Sequence, residues 1–270
     1  MWLALLLAAA PVEAVRAHSL ISYVAGDYPL AVSETGEVLS AQEHKEQLIF
    51  AEDAERDLRA AGAADLAEDA SRLHARIAAA ARPGEVSPLA AALAARIAQR
   101  YRVEMLPRRA PDLRRGRALY RQSCAACHGR GGTPRVEHLE LSTRPTAFSS
   151  PQEVARLSPQ RIFAAIGFGV PGTAMPAFGE ALDEDARWDV AYAALLFAHP
   201  PPQRRRGEEI LRSLPRRPDW LQLAIRSDDQ LRAGLSQSPL SSEDREALIS
   251  AVRSAFAEPK VTTAGASRAW

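Results

Sequence analysis

Apolar residues return along this chain at intervals of three and four, the spacing of one face of a helix. Leu20 to Ala25 is a short apolar segment closed by the turn signal Gly26-Asp27-Tyr28-Pro29. A longer helix is predicted over Ala41 to Ala61, with Leu48, Ala51, Ala54 or Glu55, and Leu58 on one face and Gly62 after its end. The next has a cleaner stripe, Leu66, Ala70, Leu73, Ile77 and Ala80, and is ended by Pro83-Gly84. Ser87-Pro88 then supplies a cap and a first-turn proline for a helix carrying Leu89, Leu93, Ile97 and Tyr101. These segments read as an antiparallel helical hairpin or small bundle spanning 18–106.

A second pattern begins after an arginine-rich linker, Pro107 to Pro111. Asp112 can cap a helix with Leu113, Gly116, Leu119 and Tyr120 along its inner face. A glycine there lets another helix cross closely, and the candidate partner runs from Asp183 to about Ala198, with Trp188, Ala191, Tyr192 and Leu195 on one face. Between them Ser158-Pro159 starts a helix with Ile162, Phe163 and Ile166, ended by Gly167. After 200 the pattern predicts a small helical appendage over 201–258. It comprises Arg204 to Leu214, a segment around Trp220, Leu221, Ala224 and Ile225, a capping box at Ser227-Asp228-Asp229-Gln230, and a last helix from about Ser242. A disordered tail is expected over 259–270. The expected fold class is all-α.

Composition agrees. The 270 residues are 47% hydrophobic, much of it alanine, and only 6% aromatic, a mix that favours helix. The net charge of +1 argues against a polyanion binder, and no nucleic-acid motif appears. The cations are almost all arginine, with Lys45 and Lys260 the only lysines. Glu43, His44, Glu46, Glu52, Asp53 and Asp57 crowd one helix without a recognisable ligand spacing, and they read as a solvated acidic face. The apolar run Trp2 to Val12, with Val15-Arg16-Ala17 after it, predicts a signal peptide over 1–17 with cleavage after Ala17. No stretch reaches the roughly 20 apolar residues that span a bilayer.

The chemistry sits at Cys124-Ala125-Ala126-Cys127-His128, which holds the chain's only two cysteines. Two thiols a helical turn apart with a histidine directly after them form the attachment signature of a c-type haem. His128 would then be an axial ligand. A zinc site would want further Cys or His at defined spacing, and a redox dithiol a strand–helix context; neither is present. Covalent attachment in bacteria happens after export, so motif and signal peptide together point to a periplasmic protein. The segment Gly167-Phe168-Gly169-Val170-Pro171-Gly172-Thr173-Ala174-Met175-Pro176-Ala177-Phe178 is a rigid loop presenting one thioether. Met175 is the predicted second axial ligand. His138 and His199 are its rivals, while Met105 lies in the linker before the attachment motif and has no such loop. Pro134 is the candidate for a carbonyl orienting the His128 ring.

These motifs resemble those of a class I cytochrome c domain, over about Pro111 to Pro200, with 112–200 taken as the domain. The resemblance extends further. Ile21-Ser22-Tyr23-Val24-Ala25-Gly26-Asp27-Tyr28-Pro29, the helical region after it, and the Phe168–Phe178 loop are similar to the periplasmic part of bacterial fusions between cytochrome c and a high-affinity iron permease. That resemblance implies one covalent haem c, electron transfer with a redox partner protein, and an association with a membrane iron permease. The membrane domain of those fusions has no counterpart here. Arg130-Gly131-Gly132-Thr133-Pro134-Arg135 also lacks the acidic residue common in the corresponding turn. Two functions stay open: an outer-sphere electron carrier, or a haem enzyme or sensor in which Met175 leaves so that a small ligand can bind.

Overall fold

The computed structural model describes residues 10–103, 106–135, 141, 143–214 and 220–254. His138, Met105, most of the apolar run from Trp2 and the tail over 259–270 lie outside them. The described residues form thirteen α-helices and a 3-10 turn, with no strand; a single antiparallel bridge joins Val32 and Val38. The fold is all-α. Chain contacts divide it into two units. The first takes residues 1–105 together with 168–177, and the second takes 106–167 with 178–270.

The first unit is a four-helix bundle: α1 (Val12–Ala31), α2 (Ala41–Ala60), α3 (Ala64–Ala78) and α4 (Pro83–Tyr101). Each helix packs against two others, α1 on α2 and α4, and α3 on α2 and α4. Ile21, Val24, Tyr28 and Ala31 from α1 meet Phe50, Ala54 and Leu58, Leu66, Leu73 and Ile77, and Val86, Leu93 and Ile97 in one core. The turn expected at Gly26 to Pro29 is absent, because α1 continues through it. Asp27 and Tyr28 are buried there, and the Tyr28 hydroxyl donates to the Ala81 carbonyl at 2.8 Å. Pro29 forgoes one backbone hydrogen bond in the last turn, and the buried stripe around it offsets that loss.

The expected cut after Ala17 likewise falls inside α1. Ala14 and Ala17 are fully buried, and Arg16 donates to Asp57 (2.7 and 2.9 Å) and Asp53 (2.5 Å) across the α1–α2 seam. The first helix of the bundle therefore starts at Val12, ahead of His18. Helix α4 starts earlier than Ser87 suggested: Pro83 occupies the first turn and Pro88 lies inside the helix. The acidic stretch of α2 is answered by arginine, with Arg16 and Arg56 on Asp53 and Arg59 on Glu55. His44 Nε2 lies 2.7 Å from the Ile77 carbonyl. Among the described residues no cluster of His, Cys, Asp and Glu could hold a metal ion.

In the second unit, α5 (Leu113–Ser123) leads into the one-turn α6 (Ala125–His128). Then come α7 (Pro151–Val154), α8 (Pro159–Phe168) and α9 (Glu184–Leu195), with a 3-10 turn over Leu196–Ala198. The caps fall where the residues predict. Asp112 accepts from the Arg114 and Arg115 amides, Asp183 from Ala186, and Ser158 from Arg161. Helices α5 and α9 cross at Gly116, where a Cβ would overlap the Asp189 carbonyl oxygen and press on the Ala193 methyl. The aromatic residues sit to the side of this crossing: Trp188 stacks on Phe163, with centroids 4.3 Å apart. The arginine-rich linker is tied down. Asp189, wholly buried, accepts from the Asp112 amide (2.7 Å) and from Arg109 (2.7 and 3.0 Å) and pairs with Arg115.

The same unit closes with α10 (Pro201–Ser213), α11 (Trp220–Ile225), α12 (Asp228–Gly234) and α13 (Ser242–Ser254). The capping box at Ser227 and Gln230 forms in full. Arg253, buried, bonds Asp228 Oδ1 (2.8 Å) and the carbonyls of Leu223 and Arg226. His199 lies 3.1 Å from Asp228 Oδ2 and 2.9 Å from the Ser250 hydroxyl. This rival sixth ligand thus lies inside a buried polar cluster. No helix among the described residues is long and apolar enough to cross a membrane.

Two substitutions probe this packing. Gly116→Val forces a branched side chain into the helix crossing and should cost about 1–3 kcal/mol, read from urea unfolding. For Asp228, burial raises the carboxyl pKa, but the His199 hydrogen bond and the Arg253 charge outweigh it, leaving the net value below the ordinary 3.8. The folded chain thus binds this proton less readily than the unfolded chain. The associated stability is full above the ordinary carboxylate range and is lost as the pH falls through the folded value. Arg253→Met leaves the carboxylate buried beside His199 alone and should cost about 3–5 kcal/mol at neutral pH. A shallower acid limb in its stability–pH curve, compared with the unsubstituted chain, checks the sign.

Candidate functional site: a thiol–imidazole turn

The turn that carries the chemistry is built on the end of α5. Cys124 closes that helix, its amide donating to the Tyr120 carbonyl at 2.9 Å. Its own carbonyl then accepts from the amides of Cys127 (3.2 Å) and His128 (2.9 Å). Both thiols and the imidazole therefore belong to one hydrogen-bonded turn. Gly129 ends it at φ +76°, a left-handed value that side chains disfavour, and a Cβ there would overlap the Thr133 carbonyl. The Tyr120 hydroxyl reaches over the turn and donates to the Gly129 carbonyl at 3.1 Å. Without an acidic residue, the loop after Gly129 closes through the backbone: Gly132 donates to Gly129, and Ser149 to Gly132 (both 3.1 Å).

The carbonyl that orients His128 is not that of Pro134. The His128 Nδ1 lies 3.0 Å from the Thr146 carbonyl oxygen, and its ring is 5.0 Å from that of Phe148. As donor, Nδ1–H fixes the tautomer in which Nε2 keeps a free lone pair, the form a metal ligand needs. Burial pushes the His128 pKa down, partly opposed by the Thr146 bond, so the ring is held neutral. Thr146 is itself held by its neighbours on the C-terminal side. The Ala147 amide donates to Glu153 Oε2 at 2.7 Å, and the Thr133 and Ser149 hydroxyls meet at 2.7 Å. Ser150 caps α7 by accepting from the Glu153 amide. The Ser150-Pro151-Gln152-Glu153 pattern has the form of a helix start and could have located α7. Nothing in the residue string announces Thr146.

Cys124 and Cys127 are free and half-buried. Burial, with the neighbouring Cys127, pushes the Cys124 thiol up to about 11, which keeps it protonated at neutral pH. The Trp188 indole nitrogen and Arg187 Nε are buried donors without an acceptor among the described residues. Paired thiols and a tautomer-fixed imidazole on one turn suit a covalently held haem.

Met175 belongs to the first unit by its contacts. Its amide donates to the Thr173 hydroxyl (3.1 Å) and its carbonyl accepts from the Val170 amide (3.2 Å). The loop is pinched at its base, where Phe178 donates to Ile166 at 2.8 Å and Gly179 to Gly167 at 3.1 Å. The Gly/Pro framing thus yields a loop whose methionine backbone is bonded at both ends.

Residues 111–192, which contain Cys124, Cys127, His128 and Met175, match a family model described as cytochrome C oxidase, cbb3-type, subunit III. The match puts a cytochrome c domain, and hence haem binding, in this segment. A dihydro-heme d1 dehydrogenase of Pseudomonas aeruginosa is 37% identical over 98 residues, which make up 36% of this chain and 18% of that protein. The chain thus aligns with less than a fifth of that relative's length. No solved structure matches the chain.

Removing the Glu153 carboxylate tests the orienting strut. Glu153→Ala strips the Ala147 amide of its acceptor and should cost about 1–3 kcal/mol in chemical unfolding, with Glu153→Gln recovering most of it.

Proposed function

We propose that this chain is a monohaem c-type electron carrier, with the haem bonded through Cys124 and Cys127 and ligated by His128 and Met175. The observation that carries the reading is the hydrogen bond from His128 Nδ1 to the Thr146 carbonyl, on the turn that also bears both thiols. It leaves a single ring nitrogen free, on the residue adjoining the second thiol. Bound haem would supply a one-electron couple, whose potential a soft thioether ligand would raise relative to stronger donors. The chain's part is to hold two ligands at fixed positions, exclude water and keep the ring tautomer constant through the redox cycle. A carrier of this kind works by contact with a redox partner protein outside the cytoplasm, since covalent attachment happens after export.

The resemblance of the 21–29 and 168–178 segments to the permease fusions supports a narrower role. The electron accepted would be one released when ferrous iron is oxidised beside a separate membrane permease. The dehydrogenase named among the relatives favours a second reading, in which Met175 leaves and the iron serves a reaction or senses a small ligand. The half-exposed state of Met175 is compatible with that.

The ferric spectrum separates the two. A carrier should be low-spin at neutral pH and show the weak far-red charge-transfer band of iron–thioether ligation. Met175→Leu should abolish that band while the haem stays covalently bound through denaturing gel electrophoresis. A high-spin ferric spectrum in the unsubstituted protein would overturn the carrier in favour of the open-site reading.

A further inference from the structure

The loop that carries Met175 lies between α8 and α9 in sequence, yet it packs within the first unit. Val170 is one of the apolar residues packed against the α1–α4 core. Gly172, at φ +77°, approaches α2 so closely that its Cβ position is 3.1 Å from Ile49 Cδ1. Val170 is also the residue whose amide holds the Met175 carbonyl (3.2 Å) and whose own carbonyl accepts from the Thr173 amide (3.2 Å) and hydroxyl (2.8 Å). That Thr173 hydroxyl in turn accepts from the Met175 amide. Every backbone bond that fixes Met175 therefore runs, directly or through Thr173, to a residue whose side chain is seated on the bundle. A loop that merely covered a haem would need no such seat.

We infer that the four-helix unit is the positioning element for Met175, acting through Val170 and Ile49, and so sets how firmly the thioether stays on its metal. The inference rests on the proposal that Met175 is an axial ligand. Ile49 is a positioning residue: it is half-buried and stands outside the bundle core, so its truncation removes the loop contact without opening a cavity among the core residues. The bundle then has a stated task. It holds closed an equilibrium between bound and released thioether, and whatever shifts α2 against the loop shifts that equilibrium.

The test uses the full-length holoprotein with Ile49→Ala, Val170→Ala and, as the conservative variant, Ile49→Leu. Each is monitored by the far-red band of the ferric form, by the pH at which that band disappears, and by reduction potential. The expected result is that Ile49→Ala and Val170→Ala lower the pH midpoint of band loss by about one unit, a tenfold shift in the release equilibrium. Ile49→Leu should restore most of it, and Leu89→Ala, on the exposed side of α4, should change nothing. A band that Met175→Leu removes but whose midpoint ignores both truncations overturns the inference and leaves the ligand assignment standing. A protein without the band, unchanged by Met175→Leu, overturns the ligand assignment itself. Helicity is recorded alongside by circular dichroism: an unfolded bundle with an unchanged midpoint counts against the inference as firmly as a folded one.

Discussion

Two sulfurs and an imidazole nitrogen can serve one flat group only if the turn bearing them is held still. The turn over 124–128 has few resources for this itself, being Cys124 and four helical residues without a buried member. Its rigidity is borrowed from three directions. Helix α5 runs straight into it and is locked against α9 where Gly116 meets the Asp189 carbonyl. The Tyr120 hydroxyl bridges back over its end to Gly129. The Thr146 carbonyl, next to an Ala147 amide held by Glu153, accepts the hydrogen bond of the imidazole. Remove any of these and the turn keeps its chemistry but loses its aim.

How much of this was legible in the residues depended on range. Local rules worked well: Asp112, Ser158, Asp183 and Ser227 cap where short polar side chains before apolar runs predict, and Gly116 marks the helix crossing. Where burial competed with a local signal, burial won. Gly26-Asp27-Tyr28-Pro29 reads as a turn, but with Tyr28 in the core and bonded to Ala81 the helix continues. The boundary read at Ala17 lies inside a helix for a similar reason, since small residues that suit a peptidase also suit a tight helix seam. Apart from the Gly116 crossing, pairings between segments distant in sequence left no trace. Thr146 orients His128 through its backbone, which any residue could supply, and Ile49 meets the Met175 loop more than a hundred positions away.

The candidate site divides the same way. Cys124, Cys127 and His128 are read from a spacing that chemistry imposes, and the structure sets them on one turn. His199, a rival to Met175 in the residue string, is buried beside Ser250 and Asp228, residues of the C-terminal helices that say nothing about haem when read alone.

The arginine bias carries a similar consequence for the whole surface. Arg16, Arg59, Arg100, Arg109 and Arg232 tie helices to carboxylates, where lysines could have made many of the same pairs. A guanidinium stays charged across the working pH range and offers no lone pair, whereas a lysine amine becomes a nucleophile and a metal donor once deprotonated. Apart from Lys45 and Lys260, this chain has therefore stitched itself together with cations that keep their charge and offer no free lone pair as the solution turns alkaline.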